Sequence, residues 1–91
     1  MNQGSEDFSR PYFLAQGAIA QLQAAIHEVL GSAMPDGLRN ADIGRILGIY
    51  MGHVEHEGHI PRTLLAMMEA EGVVEQDKSS KLWKLRDPPS D

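Results

Sequence analysis

Apolar residues recur at helical spacing through the first third of the chain. Ala15, Ile19, Leu22, Ile26, Val29 and Leu30 fall three or four apart and form one stripe, with Gln16, Gln23, His27 and Glu28 off it. The spacing predicts an amphipathic helix over residues 14–30, which Gly31 is placed to end. Residues 34–37 (MPDG) carry turn chemistry, with proline at a turn's first central place and glycine where a positive φ is wanted. Leu38 and Arg39 fit a brief strand. Asn40 then reads as the N-cap of a short second helix, and Asp42 complements its dipole. Ile43, Ile46 and Leu47 make that helix's buried side, and Gly48 stops it.

Residues 49–59 contain two glycines, Gly52 and Gly58, and no clean period, which predicts a loop. Within it, Tyr50 and Met51 either pack under the next helix or form an exposed contact. A third helix is predicted to open at Pro61, because the first helical position has no intrahelical use for the missing N–H. Its inner face is Ile60, Leu64, Leu65 and Met68, with Met67 at the edge and Gly72 as the stop. Residues 73–75 and 82–85 read as two strands joined by a polar tip at residues 76–81. Trp83 reads as a core anchor, and Met34, Met67 and Met68 as core filling. Three parts follow: a flexible or peripheral segment over residues 1–13, one domain over 14–86, and a flexible tail over 87–91. Phe8, Tyr12 and Phe13 either dock back onto the core or end a linker.

The predicted order is helix, short strand, helix, helix, strand, strand. Together with LRNADIGRILG at residues 38–48, PRTLLAMMEAEGVV at 61–74 and KLWKL at 81–85, this order resembles the winged helix-turn-helix family. The resemblance covers residues 18–86 and implies an α+β fold, a winged helix with a three-helix core and a small two- to three-stranded antiparallel sheet. It further implies double-stranded DNA binding, as a transcription regulator or as the DNA-reading module of a larger system. In the family, the third helix enters the major groove and the hairpin wing touches backbone or minor groove. Many members are homodimers, so a homodimer through the first helix or the terminal segments is one expectation. Some winged helices bind proteins and no DNA, which is the alternative reading here. The stretch at residues 49–60 departs from the family, being far longer than the tight turn of an ordinary helix-turn-helix.

If the resemblance holds, the outward positions of the third helix should suit a groove. Stepping by 100° places His59, Arg62, Thr63, Ala66 and Ala70 outside. Arg62 can fork onto guanine or phosphate, Thr63 can bond phosphate or meet a thymine methyl, and His59 can donate. Ala66 and Ala70 are small enough to admit a groove wall. Arg39 and Asn40, at the start of the second helix, are expected to hold a phosphate, with Arg45 on that helix's outer side. Lys78, Ser79, Ser80 and Lys81 form the wing tip, and Lys84 and Arg86 follow on the returning strand.

Charge narrows this reading. The 91 residues hold 8 basic and 13 acidic side chains, a net charge of −5. Such a chain is no indiscriminate nucleic-acid binder, whose affinity comes from a strong positive field. DNA binding therefore requires Arg39, Arg45, Arg62, Lys78, Lys81, Lys84 and Arg86 to share a face, where about five phosphate contacts become reachable.

Other chemistry is sparse. There is no cysteine, which excludes disulfides and thiolate metal sites and fits a reducing cytoplasm, where this reading places the protein. Apolar runs fall far short of the ~20 residues that span a bilayer, so no membrane partner is expected. Residues 1–10 lack the basic and apolar regions of a secretory signal. No Gly-rich phosphate loop, cysteine nucleophile or Ser/His/Asp arrangement is present, so neither enzyme activity nor a cofactor is expected. The one metal-like cluster is HVEHEGH at residues 53–59. His53, His56 and His59 are weak candidate ligands there, because their spacing matches no strong zinc pattern. The plainer reading is a polar, pH-sensitive loop whose protonation in mild acid adds positive charge beside the proposed DNA face.

Overall fold

The computed structural model describes residues 7–52 and 57–86. Three helices precede a hairpin: α1 (Ser9–Ser32), α2 (Asn40–Leu47), α3 (His59–Ala70), β1 (Val74–Gln76) and β2 (Trp83–Leu85). This is an α+β arrangement with one two-stranded antiparallel sheet, in an order compatible with a winged helix. No helix among the described residues is long and apolar enough to cross a membrane.

Helix α1 is longer than its apolar stripe required. It begins at Ser9, so residues 9–13 of the segment read as flexible or peripheral form its first turns, all of them exposed. The Asp7 carboxylate makes this start possible, accepting from the Ser9 backbone N–H at 3.0 Å and from the Ser9 hydroxyl at 2.7 Å. Those two bonds hold the Asp7 carboxyl below the usual carboxylate range, the backbone donor contributing most. Pro11 sits in the first turn, where its missing N–H breaks nothing. At the other end Gly31 does not stop the helix, which runs to Ser32 with Ala33 as its C-cap. Glycine ends a helix only when the chain needs a left-handed residue there, and here it stays helical.

Beside its packing on the core, the sheet is tied to the body by an isolated antiparallel bridge. Leu38 N–H donates to the Trp83 carbonyl at 2.9 Å, and Trp83 N–H returns the bond at 2.7 Å. The brief strand read at Leu38 is thus one bridged residue. Gly37, with φ of 90°, makes this approach possible, since a Cβ there would lie 2.5 Å from the Trp83 carbonyl oxygen. In the hairpin Val74 faces Leu85, Glu75 faces Lys84 and Gln76 faces Trp83.

One core joins all five elements. Ile26, Leu30, Ile43, Leu64, Leu65, Met68, Val74 and Trp83 are buried in it. Two apolar residues assigned to this core lie elsewhere: Ile46 is 58% exposed and Ile60 36%. In their place Gly44 and Pro61 are buried, because α2 and α3 meet on those flanks. Met34, Met67 and Met51 are also exposed, and of the three methionines read as core filling only Met68 is buried.

Candidate nucleic-acid interface

The presentation of α3 depends on what happens between α2 and α3. Gly48 closes α2 in the left-handed conformation with φ of 73°. The chain then lays the Tyr50 ring on Gly44 and Gly58, at positions where a Cβ would come within 2.9 Å of Tyr50 carbons. The Arg45 guanidinium covers this ring 4.6 Å from its centroid, a cation–π contact. Tyr50 is half-buried and clips the two helices together, whereas Met51 beside it stays exposed.

Asn40 adds a second tie. It does not cap α2; that position belongs to Arg39, whose N–H donates to the Asp42 carboxylate at 3.3 Å. The Asn40 side chain instead donates from Nδ2 to the Gly58 carbonyl at 3.2 Å, and Gly58 is the left-handed N-cap of α3. The N-termini of α2 and α3 therefore lie side by side. Arg39 and His59 are exposed there, at the positive ends of the two helix dipoles. Helix α3 opens at His59, with Pro61 in its first turn.

All five outward positions read on α3 are exposed: His59, Arg62, Thr63, Ala66 and Ala70. They are not one uniform surface. By 100° stepping, His59, Thr63, Ala66 and Ala70 form the ridge, Arg62 and Glu69 flank it on one side, and Ile60 and Met67 on the other. On the Ile60–Met67 side a shallow apolar groove of about 300 Å³ runs to α1, lined there by Ile19 and Leu22. Arg62 thus has a carboxylate, Glu69, two turns along on its own flank.

The hairpin tip is organised by an acid that composition alone does not single out. Asp77 accepts from Ser80 N–H at 2.7 Å, from the Ser80 hydroxyl at 2.7 Å and from the Ser79 hydroxyl at 3.5 Å. The Ser80 backbone bond leads in lowering the Asp77 pKa, followed by the Ser80 hydroxyl, with Lys84 a small contributor. Ser80 is further engaged because its oxygen accepts from Leu82 N–H at 3.2 Å. Lys81 takes a left-handed backbone, φ 66°, held by its N–H bond to the Asp77 carbonyl at 2.8 Å. Lys78 and Lys81 are exposed, but Lys78 and Lys84 share a polar recess with Glu75 and Asp77. The structure thus brings Arg39, Asn40, His59 and Arg62 to one end of the helix pair, and gathers Lys78, Ser79, Ser80 and Lys81 on a separate hairpin.

Among the candidate metal ligands, His53 and His56 lie outside the described residues, and His59 is the first residue of α3. For Tyr50 the sequence left two alternatives, packing under the next helix or an exposed contact, and the structure shows the packing; the role of Asp77 was missed. The signal for Asp77 was present, since an aspartate three residues before a serine at a hairpin tip is a familiar turn former. Comparison with models of known families, with curated proteins and with solved structures returned no match.

Proposed function

We propose that the domain binds double-stranded DNA as a winged helix, with α3 as its reading element. The observation that carries this reading is the outer surface of α3, which is exposed at His59, Arg62, Thr63, Ala66 and Ala70 while its opposite side is seated in the core. Twelve residues give a rod of about 18 Å, long enough to cross a major groove roughly 12 Å wide. Arg62 and Thr63 supply donors for base edges or phosphate, and the two alanines let the helix approach closely. Arg39, at the paired helix starts, anchors backbone phosphate, and Lys78 and Lys81 do so from the wing. With Ser80 engaged by Asp77 and Arg45 held over Tyr50, the anchoring rests on about four cations, so binding is weak and falls steeply with salt.

Fluorescence anisotropy with mixed-sequence duplex at low salt tests this. The expected result is micromolar binding that Arg62→Ala and Lys78→Ala each weaken, each also lowering the slope of log affinity against log salt by about one. Absence of binding at tens of micromolar protein, in wild type and variants alike, would overturn the reading. The second reading, a protein-binding winged helix, is favoured by Ile60 and Met67, exposed apolar residues beside the Thr63 ridge. In that case Met67→Glu abolishes partner capture while Arg62→Ala does not.

A further inference from the structure

The outer surface of α3 is apolar along one side. Counting 100° per residue, Ala66, Thr63, Met67 and Ile60 fall within an arc of about 120°. Ala66 and Thr63 are exposed, Met67 is 37% exposed and Ile60 36%. Arg62 borders this arc on one side and the buried Leu64 on the other. Past Ile60 and Met67, the shallow groove adds Ile19 and Leu22 of α1 to the apolar wall.

Hydrogen-bonding groups are scarce on the same surface. Between His59 and Met68, only His59, Arg62 and Thr63 have side chains that can bond to a base. Towards the end of the helix Glu69 and Glu71 are exposed, and both repel phosphate. A duplex therefore approaches the first turns of α3, from His59 to Met67. A polar base edge pressed there against Ala66 or Met67 loses its water and gains no partner, which is penalised. The major groove offers one apolar group that fits, the methyl at C5 of thymine. The same methyl stands at C5 of 5-methylcytosine.

We infer that α3 recognises the C5 methyl groups of pyrimidines, so that the preferred duplex is thymine-rich or carries methylated cytosine. The methyls meet Thr63, Ala66 and Met67, and a guanine at the side of the run lies in reach of Arg62. From Ile60 to Met67 the helix rises about 10.5 Å, on the order of three base steps, so the run is short. The inference rests on the DNA reading and gives it a base preference. Phosphate contacts hold every sequence alike, so discrimination falls to these apolar contacts and to Arg62.

Deoxyuridine and 5-methylcytosine change this one methyl and keep the base pairing. Fluorescence anisotropy at low salt, on a short duplex with a central A·T block between G·C ends, gives the reference affinity. Burying one methyl is worth about fourfold in affinity, so replacing every thymine of the block by deoxyuridine is expected to weaken binding about tenfold or more. A block of G·C pairs is expected to gain by a similar factor when its cytosines are replaced by 5-methylcytosine. The salt slope should be the same for all four duplexes, because no phosphate contact changes. Ala66→Ser and Met67→Gln, at exposed positions, are expected to shrink the methyl effect with unchanged circular dichroism. Lys78→Ala should instead weaken all four duplexes alike.

A loss with deoxyuridine and no gain with 5-methylcytosine would support the inference with thymine as the source. The reverse pattern would support it with methylated cytosine as the source. Equal binding with and without the methyl in both pairs of duplexes would overturn it and leave the DNA reading standing. So would a methyl effect that both α3 variants keep, since the methyl would then be read elsewhere. Failure to bind any of the four duplexes would overturn the DNA reading, and this inference with it.

Discussion

Gly44 and Gly17 both lie inside helices, where alanine ordinarily gains about 1 kcal/mol. Their surroundings give the same substitution opposite signs. Around Gly17 nothing comes within 4 Å of an added Cβ, so Gly17→Ala should stabilise by about 1 kcal/mol. At Gly44 the added atom would sit 2.9 Å from Tyr50 Cβ and 3.1 Å from Pro61 Cγ. A Cβ and a proline ring cannot swing aside, and overpacking of this kind costs ~1–3 kcal/mol. Gly44→Ala should therefore lower the urea midpoint although it improves helix propensity, and a rise would show that the Tyr50 clip is slack. Neither outcome was legible in the sequence. A glycine within a helical period looks alike whether it faces solvent or a tyrosine six residues ahead.

The hairpin shows the same divide at the scale of an element. Its existence and polar tip were legible, because two short β-prone runs flank a polar stretch and because Trp83 needs a core. The order inside the tip depends on Asp77, whose carboxylate gathers Ser79 and Ser80. Its pKa is depressed in the folded hairpin, so the tip is fully ordered above the ordinary carboxylate pKa of about 3.9. That order is lost as pH falls through the lower, folded value. The Ser80 amide resonance should accordingly titrate below the usual carboxylate range and lose that step in Asp77→Asn. A midpoint at the ordinary value would mean that the bonds do not persist in solution. Helix α3 tells a similar story: its outward set was read correctly from 100° stepping, but the exchange of Ile60 for Pro61 on the inner side was not. Both residues are apolar and stand next to each other, and only the angle at which α2 and α1 arrive decides between them.

For the molecule as a whole, eight buried residues hold three helices and a hairpin together. Leu65, fully buried, belongs to the centre of that set. Leu65→Ala should cost about 2–5 kcal/mol, a large share of the roughly 5–14 kcal/mol expected for a domain of this length. Thermal denaturation should show the midpoint falling by more than about 10 °C, and a smaller drop would indicate that the core closes over the cavity. Net charge acts at this scale too. An acidic molecule that meets DNA can do so only through a local arrangement of cations.

The sequence by itself determined the kinds of element and their order, because periodicity, turn residues and helix stops act over a few neighbouring positions. It also determined which side of α3 faces outward, since a helix turns by a fixed angle per residue. The tertiary structure alone decided the flanks of each stripe, the reach of Asn40 to Gly58 and the seat of Tyr50. It also decided how far α1 runs beyond the body. These depend on which distant segment arrives, and at what angle, and a residue's burial there is a property of its neighbour as much as of itself.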